Sequence, residues 1–188
     1  MVSAVFVTAN HSAGIKKYLK MKGTMNRKYP HGTLKMDIAR IFKDKRSDPY
    51  INTKKLPDPT ICPDCGAVFT NGRWSWKQYK NVSNQHLCPA CQRTQEVNPA
   101  GVIELEGEFF EVHKKDIMCL IRNVEEQEVQ EHPLERIMQI HEENGKTIIT
   151  TTGIHLPGMI GKSIKHAHEG KLDINYNSET ITRVQWVR

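Results

Sequence analysis

The chain has 188 residues, 38% of them hydrophobic and 26% charged, with a formal net charge of +6. That length can bury a sizeable core, as one main domain with a small module beside it. No apolar run approaches the roughly 20 residues that a membrane-crossing helix needs. The opening Met1-Val2-Ser3-Ala4-Val5 also lacks the basic start of an export signal, so a cytoplasmic protein is expected.

Charge is unevenly spread. Residues 1–61 hold 13 Lys/Arg against 4 Asp/Glu, residues 62–99 hold 4 against 2, and residues 100–188 hold 10 against 15. A basic start followed by an acidic end is the pattern of a polyanion-binding arm on a globular body, although a solvated tail carries the same charges.

Taken from the start, residues 1–55 read as a basic extended arm. Lys16, Lys17, Lys20 and Lys22 interleave with Tyr18, Leu19 and Met21, and further clusters follow at Arg27-Lys28, Lys43-Asp44-Lys45-Arg46 and Lys54-Lys55. Only residues 34–44 show helical spacing, with Leu34, Ile38, Ile41 and Phe42 on one face. One short helix cannot form a core, so the arm is expected to order on a partner.

Residues 56–99 read as a zinc ribbon entered through the stiff Leu56-Pro57-Asp58-Pro59 linker. Cys62-Pro63-Asp64-Cys65 and Cys88-Pro89-Ala90-Cys91 are separated by 22 residues. Each Cys-x-x-Cys pair can turn two thiolates toward one tetrahedral ion, and a spacer of that size lets the second knuckle fold back on the first. Four sulfur ligands leave no open position, so one structural Zn2+ is expected. A redox dithiol pair and an iron–sulfur centre are the alternatives. Between the pairs, Asn71-Gly72 marks a hairpin, which would set Trp74 and Trp76 on one face with Arg73, Lys77 and Lys80 around them. Such rings and cations suit RNA bases and phosphates, unless both tryptophans pack inward. Arg93 extends the same basic set.

Residues 100–188 alternate element types. A strand is expected at 101–105 and a helix at 109–130 with Ile117, Leu120, Ile121 and Val124 as its stripe. A hairpin follows across Asn144-Gly145, then a helix from Pro157 to Gly170 with Ile160, Ile164 and Ala167 inward. Two strands end the segment, alternating Leu172, Ile174, Tyr176 and then Thr182, Val184, Trp186. The fold class is α+β, and the order β-α-β-β-α-β-β suggests a ferredoxin-like sheet with both helices on one face. Cys119 falls in the apolar helical pattern and is expected to be a buried small hydrophobe.

Other motifs carry less. Gly158-Met159-Ile160-Gly161-Lys162-Ser163 lacks the first glycine of a P-loop, because position 156 is Leu156. It could be a GxxG phosphate clamp, but small residues allowing a close helix–sheet approach are the simpler account. Thr150-Thr151-Thr152-Gly153 could meet a phosphate at the following helix. No catalytic constellation is expected.

The stretch from Leu56-Pro57-Asp58-Pro59-Thr60 through both Cys pairs is similar to a family of small bacterial double-CxxC zinc-ribbon proteins. Pro99-Ala100-Gly101, Ile121-Arg122-Asn123, His132-Pro133-Leu134-Glu135-Arg136-Ile137 and Thr150-Thr151-Thr152-Gly153-Ile154-His155 are similar to it too. More distantly, this end resembles the zinc-bearing adaptor that accompanies the large ribosomal subunit during export, which implies ribosome binding.

The combined expectation is a non-enzymatic protein that binds ribosomal RNA on the bacterial ribosome, in hibernation, stress or assembly. A protein partner would take up the acidic C-terminal domain. A DNA-associated zinc regulator and an enzyme acting on a small ligand in that domain are the alternatives.

Overall fold

The structure, a computed structural model, describes Tyr50, residues 56–178 and residues 181–188. The expected arm at 1–55, apart from Tyr50, and its helix at 34–44 lie outside the described residues. Two compact units divide the chain between Cys88 and Pro89, and Tyr50 belongs with the second.

The first unit is a small mixed sheet. Strands β1 (Thr60–Ile61), β2 (Val68–Thr70), β3 (Arg73–Ser75) and β4 (Asn84–Gln85) lie in the order β3-β2-β1-β4. β2 and β3 form the expected hairpin, with Phe69 opposite Trp74. Its two-residue turn has Asn71 at φ 51° and Gly72 at φ 81°. Both values are left-handed, as a turn matched to strand twist requires. Asp58 Oδ2 accepts the Asn71 N–H at 2.7 Å, tying the linker to the turn. Ala67, Val68 and Trp76 are fully buried.

The second unit begins with helix α1 (Pro89–Glu96), which the spacing did not predict, followed by β5 (Gly101–Glu106). Where one helix was expected there are two, α2 (Glu108–Val112) and α3 (Lys114–Glu131), broken at His113 with φ −103° and ψ 16°. The break frees Phe110 to pack edge-on against Trp186, their ring centres 6.4 Å apart. The buried row of α3 is Ile117, Ile121, Glu125 and Val129, a strict i, i+4 line, while Leu120 and Val124 are only partly covered. Glu125 is the one charge on that line, and its carboxylate accepts the Ile137 N–H at 2.8 Å. Cys119 is exposed, not buried. Lying two residues from both Ile117 and Ile121, it turns away from the core face.

The hairpin β6 (Ile137–Glu143) and β7 (Lys146–Thr151) turns through Asn144 at φ 52° and Gly145 at φ 75°. Helix α4 (Leu156–His168) follows, then β8 (Lys171–Ser178) and β9 (Ile181–Val187). Sheet order is β6-β7-β5-β9-β8. β5 runs antiparallel to β7 and parallel to β9, so this sheet too is mixed. The first half has the split β-α-β arrangement, with β7 between β5 and β6. The second half departs from the ferredoxin-like expectation. After α4 the chain goes to the outer edge as β8 and only then returns, as β9, to lie beside β5. The class is α+β, with four helices among the described residues.

The core gathers Ile103 and Leu105 of β5, Ile149 of β7, Val184 and Trp186 of β9, and Ile160 and Ile164 of α4. Gly161 lets α4 sit this close. A Cβ built there would stand 2.7 Å from Val184 Cγ1 and 2.9 Å from Leu172 Cδ1. Helix propensity alone favours Gly161→Ala by about 1 kcal/mol, whereas forced overpacking costs about 1–3 kcal/mol. Gly161→Ala is therefore expected to lower the urea midpoint of unfolding without changing the slope. A raised midpoint would mean that the helix–sheet gap has room to spare.

Candidate metal centre

β1 delivers the first ligand. Immediately after Ile61, Cys62 N donates to Ala67 O at 2.8 Å and Gly66 N to Cys62 O at 2.9 Å, closing a knuckle that carries Cys62 and Cys65. Gly66 completes the turn at φ 78°, where a side chain would be strained. The second pair arrives because β4 pairs parallel to β1, with Thr60 opposite Asn84 and Ile61 opposite Gln85. His86 N continues this pairing to Ile61 O at 3.1 Å, so the strand leading to Cys88 runs beside the strand leading to Cys62. α1 then starts at Pro89, which lacks the N–H that a first helical position cannot use, and its first turn presents Cys91. The second pair is thus a helix start rather than a second open knuckle.

The four Sγ atoms all lie within 4.8 Å of one another, and all four cysteines are buried. Cys65 and Cys88 have their sulfurs 3.7 Å apart. Metal–sulfur bonds of about 2.3 Å in a tetrahedron set sulfur–sulfur edges of about 3.8 Å, whereas a disulfide needs about 2.05 Å. The cluster therefore fits one tetrahedral metal ion with four sulfur ligands. Polar hydrogens also reach the sulfurs. Cys88 N–H points at Cys62 Sγ at 3.4 Å, and the Arg136 guanidinium lies against Cys91 Sγ, with Nη1 at 3.6 Å.

The basic hairpin is a narrower surface than expected. β3 stops at Ser75, so the alternation that would pair Trp74 with Trp76 does not reach Trp76. Trp76 is 0% exposed and has no ring face to offer a base. Trp74 is half-buried and leans on Phe69, with ring centres 5.5 Å apart. Arg73, Lys77 and Lys80 are exposed. The exposed aromatic is Tyr79, which the tryptophan alternation overlooked. Lys77 Nζ lies 5.4 Å from its ring centre, and its hydroxyl is 3.4 Å from Thr70 Oγ1.

Arg93 leaves the candidate surface as well. It is buried, with its guanidinium 4.3 Å over the Tyr50 ring and Nη1 donating to Asn98 O at 3.2 Å. Tyr50 in turn donates to the Glu96 carboxylate and accepts from Asn98 Nδ2 at 3.1 Å. Burial, helped by that carboxylate, pushes the Tyr50 hydroxyl above its usual pKa. Lys16, Lys17, Lys20, Lys22, Arg27, Lys28, Lys43, Lys45, Arg46, Lys54 and Lys55 lie outside the described residues.

The phosphate possibilities in the second unit close. The Leu156 N–H at the start of α4 already donates to Glu135 Oε2 at 3.0 Å, and Thr150, Thr151 and Thr152 are buried. Gly158 and Gly161 lie inside α4 rather than in a loop between two helices. The groove between α3 and α4 is lined in part by Leu120, Val124, Lys162 and His166, and no carboxylate lines it. Among the described residues, no helix is long and apolar enough to cross a membrane. No protein-family model, curated protein or solved structure matches this chain.

Proposed function

We propose that this is a non-enzymatic zinc-ribbon protein that binds ribosomal RNA on the ribosome, with zinc as a structural ion. One observation carries the reading: a four-sulfur cluster lies beside a hairpin and a following segment that expose Arg73, Lys77, Tyr79 and Lys80. Borderline-soft zinc suits four thiolates in a tetrahedron, and with no ligand position left over the ion's work is to hold the fold. The cations would meet phosphates, Tyr79 would stack on an unpaired base, and the basic residues before 56 would add sequence-independent attraction. The acidic C-terminal sheet is left to dock a protein partner. Hibernation, stress and assembly roles all use such a factor, in the cytoplasm.

The test is sedimentation of the tagged full chain from a native lysate through sucrose gradients at two salt concentrations, with and without RNase. Co-migration with ribosomal particles, lost in high salt or after digestion, is the expected result. Protein that stays at the top in low salt overturns the proposal. On purified ribosomal RNA, changing Arg73, Lys77 and Lys80 together to Glu is expected to flatten the log–log salt slope by about 2–3. Tyr79→Ala is expected to weaken binding by about 5- to 100-fold while leaving that slope unchanged. Affinity equal to the parent's in both variants would remove this surface from the interface.

A further inference from the structure

We infer that the outer face of α3 and α4 is a self-association surface, on which α3 of one copy packs over α4 of a second. Lys162 and His166 there meet Glu131 of the partner subunit and Asp116 of the partner subunit. Neither metal nor RNA enters this contact. The two helices run antiparallel, because α3 follows β5, α4 follows β7, and those strands are antiparallel. The groove between them is lined by Leu120 and Val124 of α3 and by Ala167 of α4. Met159, one turn before Ser163 on the same side of α4, leaves 39% of its surface exposed. An apolar strip of this kind, with an adaptable methionine in it, suits another helix.

Charge decides which helix that is. α4 holds Lys162, Lys165, His166 and His168 and no carboxylate. Asp116 stands one turn before Leu120 and Glu131 one turn after Gln127, so both extend the groove side of α3 at its two ends. Lys162, His166, Asp116 and Glu131 are all exposed, and none makes an ion pair or side-chain hydrogen bond among the described residues. A patch that holds both signs unspent is complementary to itself, which is what a two-fold contact requires. An axis running along the groove lays α3 over α4 of the partner subunit twice and keeps equal heights together. Because the helices are antiparallel, Lys162 is then the nearer cation to Glu131 of the partner subunit, and His166 is the nearer to Asp116 of the partner subunit. Two helices about 20–27 Å long and about 10 Å wide bury roughly 1,000 Å² between two copies, the lower edge for a specific interface, so the dimer is a weak one.

The experiment is sedimentation equilibrium of the full chain, freed of RNA, from about 1 to 200 μM, where a dimer with a micromolar Kd is half formed. The parent is expected to pass from monomer to dimer across that range. One variant carries Lys162→Glu with His166→Glu, and a second carries Asp116→Lys with Glu131→Lys. Each alone faces its own kind with like charges and is expected to dimerise at least about tenfold more weakly. An equimolar mixture restores opposite charges across the contact and is expected to form the heterodimer about as tightly as the parent forms its own dimer. All four positions are exposed, so both variants should melt with the parent and loss of folding does not explain the result. A parent that stays monomeric throughout overturns the proposal and leaves the face to a different protein. Variants that dimerise like the parent, or a mixture that stays monomeric, overturn it as well.

Discussion

Removing the metal with a strong chelator, or replacing Cys88 with serine, is expected to unfold the ribbon. Among the described residues, the stretch 56–88 has strands of only two or three residues, and its fully buried apolar side chains beyond the cysteines are Ala67, Val68 and Trp76. A core that small cannot offset the ordering entropy of the segment, because two- and three-residue strands are marginal without added constraint. A tetrahedral thiolate site contributes about 10–16 kcal/mol of apparent binding energy, which becomes folding energy when the apo chain is disordered. Trp76 supplies the readout. It should pass from a dry site to water, shifting the summed emission of Trp74, Trp76 and Trp186 to the red. Stoichiometric metal and unchanged emission in Cys88→Ser would refute the four-ligand assignment.

The second large effect belongs to Trp186→Ala. Trp186 is 0% exposed, meets Phe110 edge-on, and donates Nε1–H to Glu169 O at 2.7 Å. Emptying a site of that size costs about 3–5 kcal/mol, a sizeable part of the 5–15 kcal/mol that ordinarily holds a domain together. For a unit of this length the melting temperature should fall by about 20 °C. Trp186→Phe keeps most of the ring but leaves the Glu169 carbonyl without its donor, so an intermediate loss of about 1–3 kcal/mol is expected. A Trp186→Ala protein melting within a few degrees of the parent would show that this end of the core can collapse around the gap.

The cysteine cluster was legible because its information is local. Two Cys-x-x-Cys pairs state the ligands, and a 22-residue spacer permits their convergence. Both hairpins were legible for the same reason, since Asn-Gly fixes a turn within two residues. The alternation of Thr182, Val184 and Trp186 also matched their burial. What escaped depends on partners far along the chain. Trp76 carries no mark saying that its strand ends one residue earlier. Arg93 looks like any surface cation until Tyr50 and Asn98 close around it. Arg136 meets Cys91 across 45 residues, and Glu135 meets Leu156 across 21, with nothing in either local sequence to announce the meeting. The sheet order escaped too, because element order alone does not say whether β8 or β9 returns to the middle.

That order has a consequence for how the domain comes into being. β9 is made after β5 to β8, yet it lies inside the sheet, with β5 on one side and β8 on the other. While the chain is still emerging at about 5–20 residues per second, β5 already has β7 beside it, but its other edge is bare and β8 has no sheet to join. The β5–β9 pairing joins Gly101 to Thr182, and Arg188 closes it by donating its N–H to Glu106 O at 3.2 Å while its carbonyl accepts from Phe110 N. Nascent chains shorter than about 180 residues would therefore expose Ile103 and Leu105 beside an unpaired strand edge, the species most open to chaperones or aggregation.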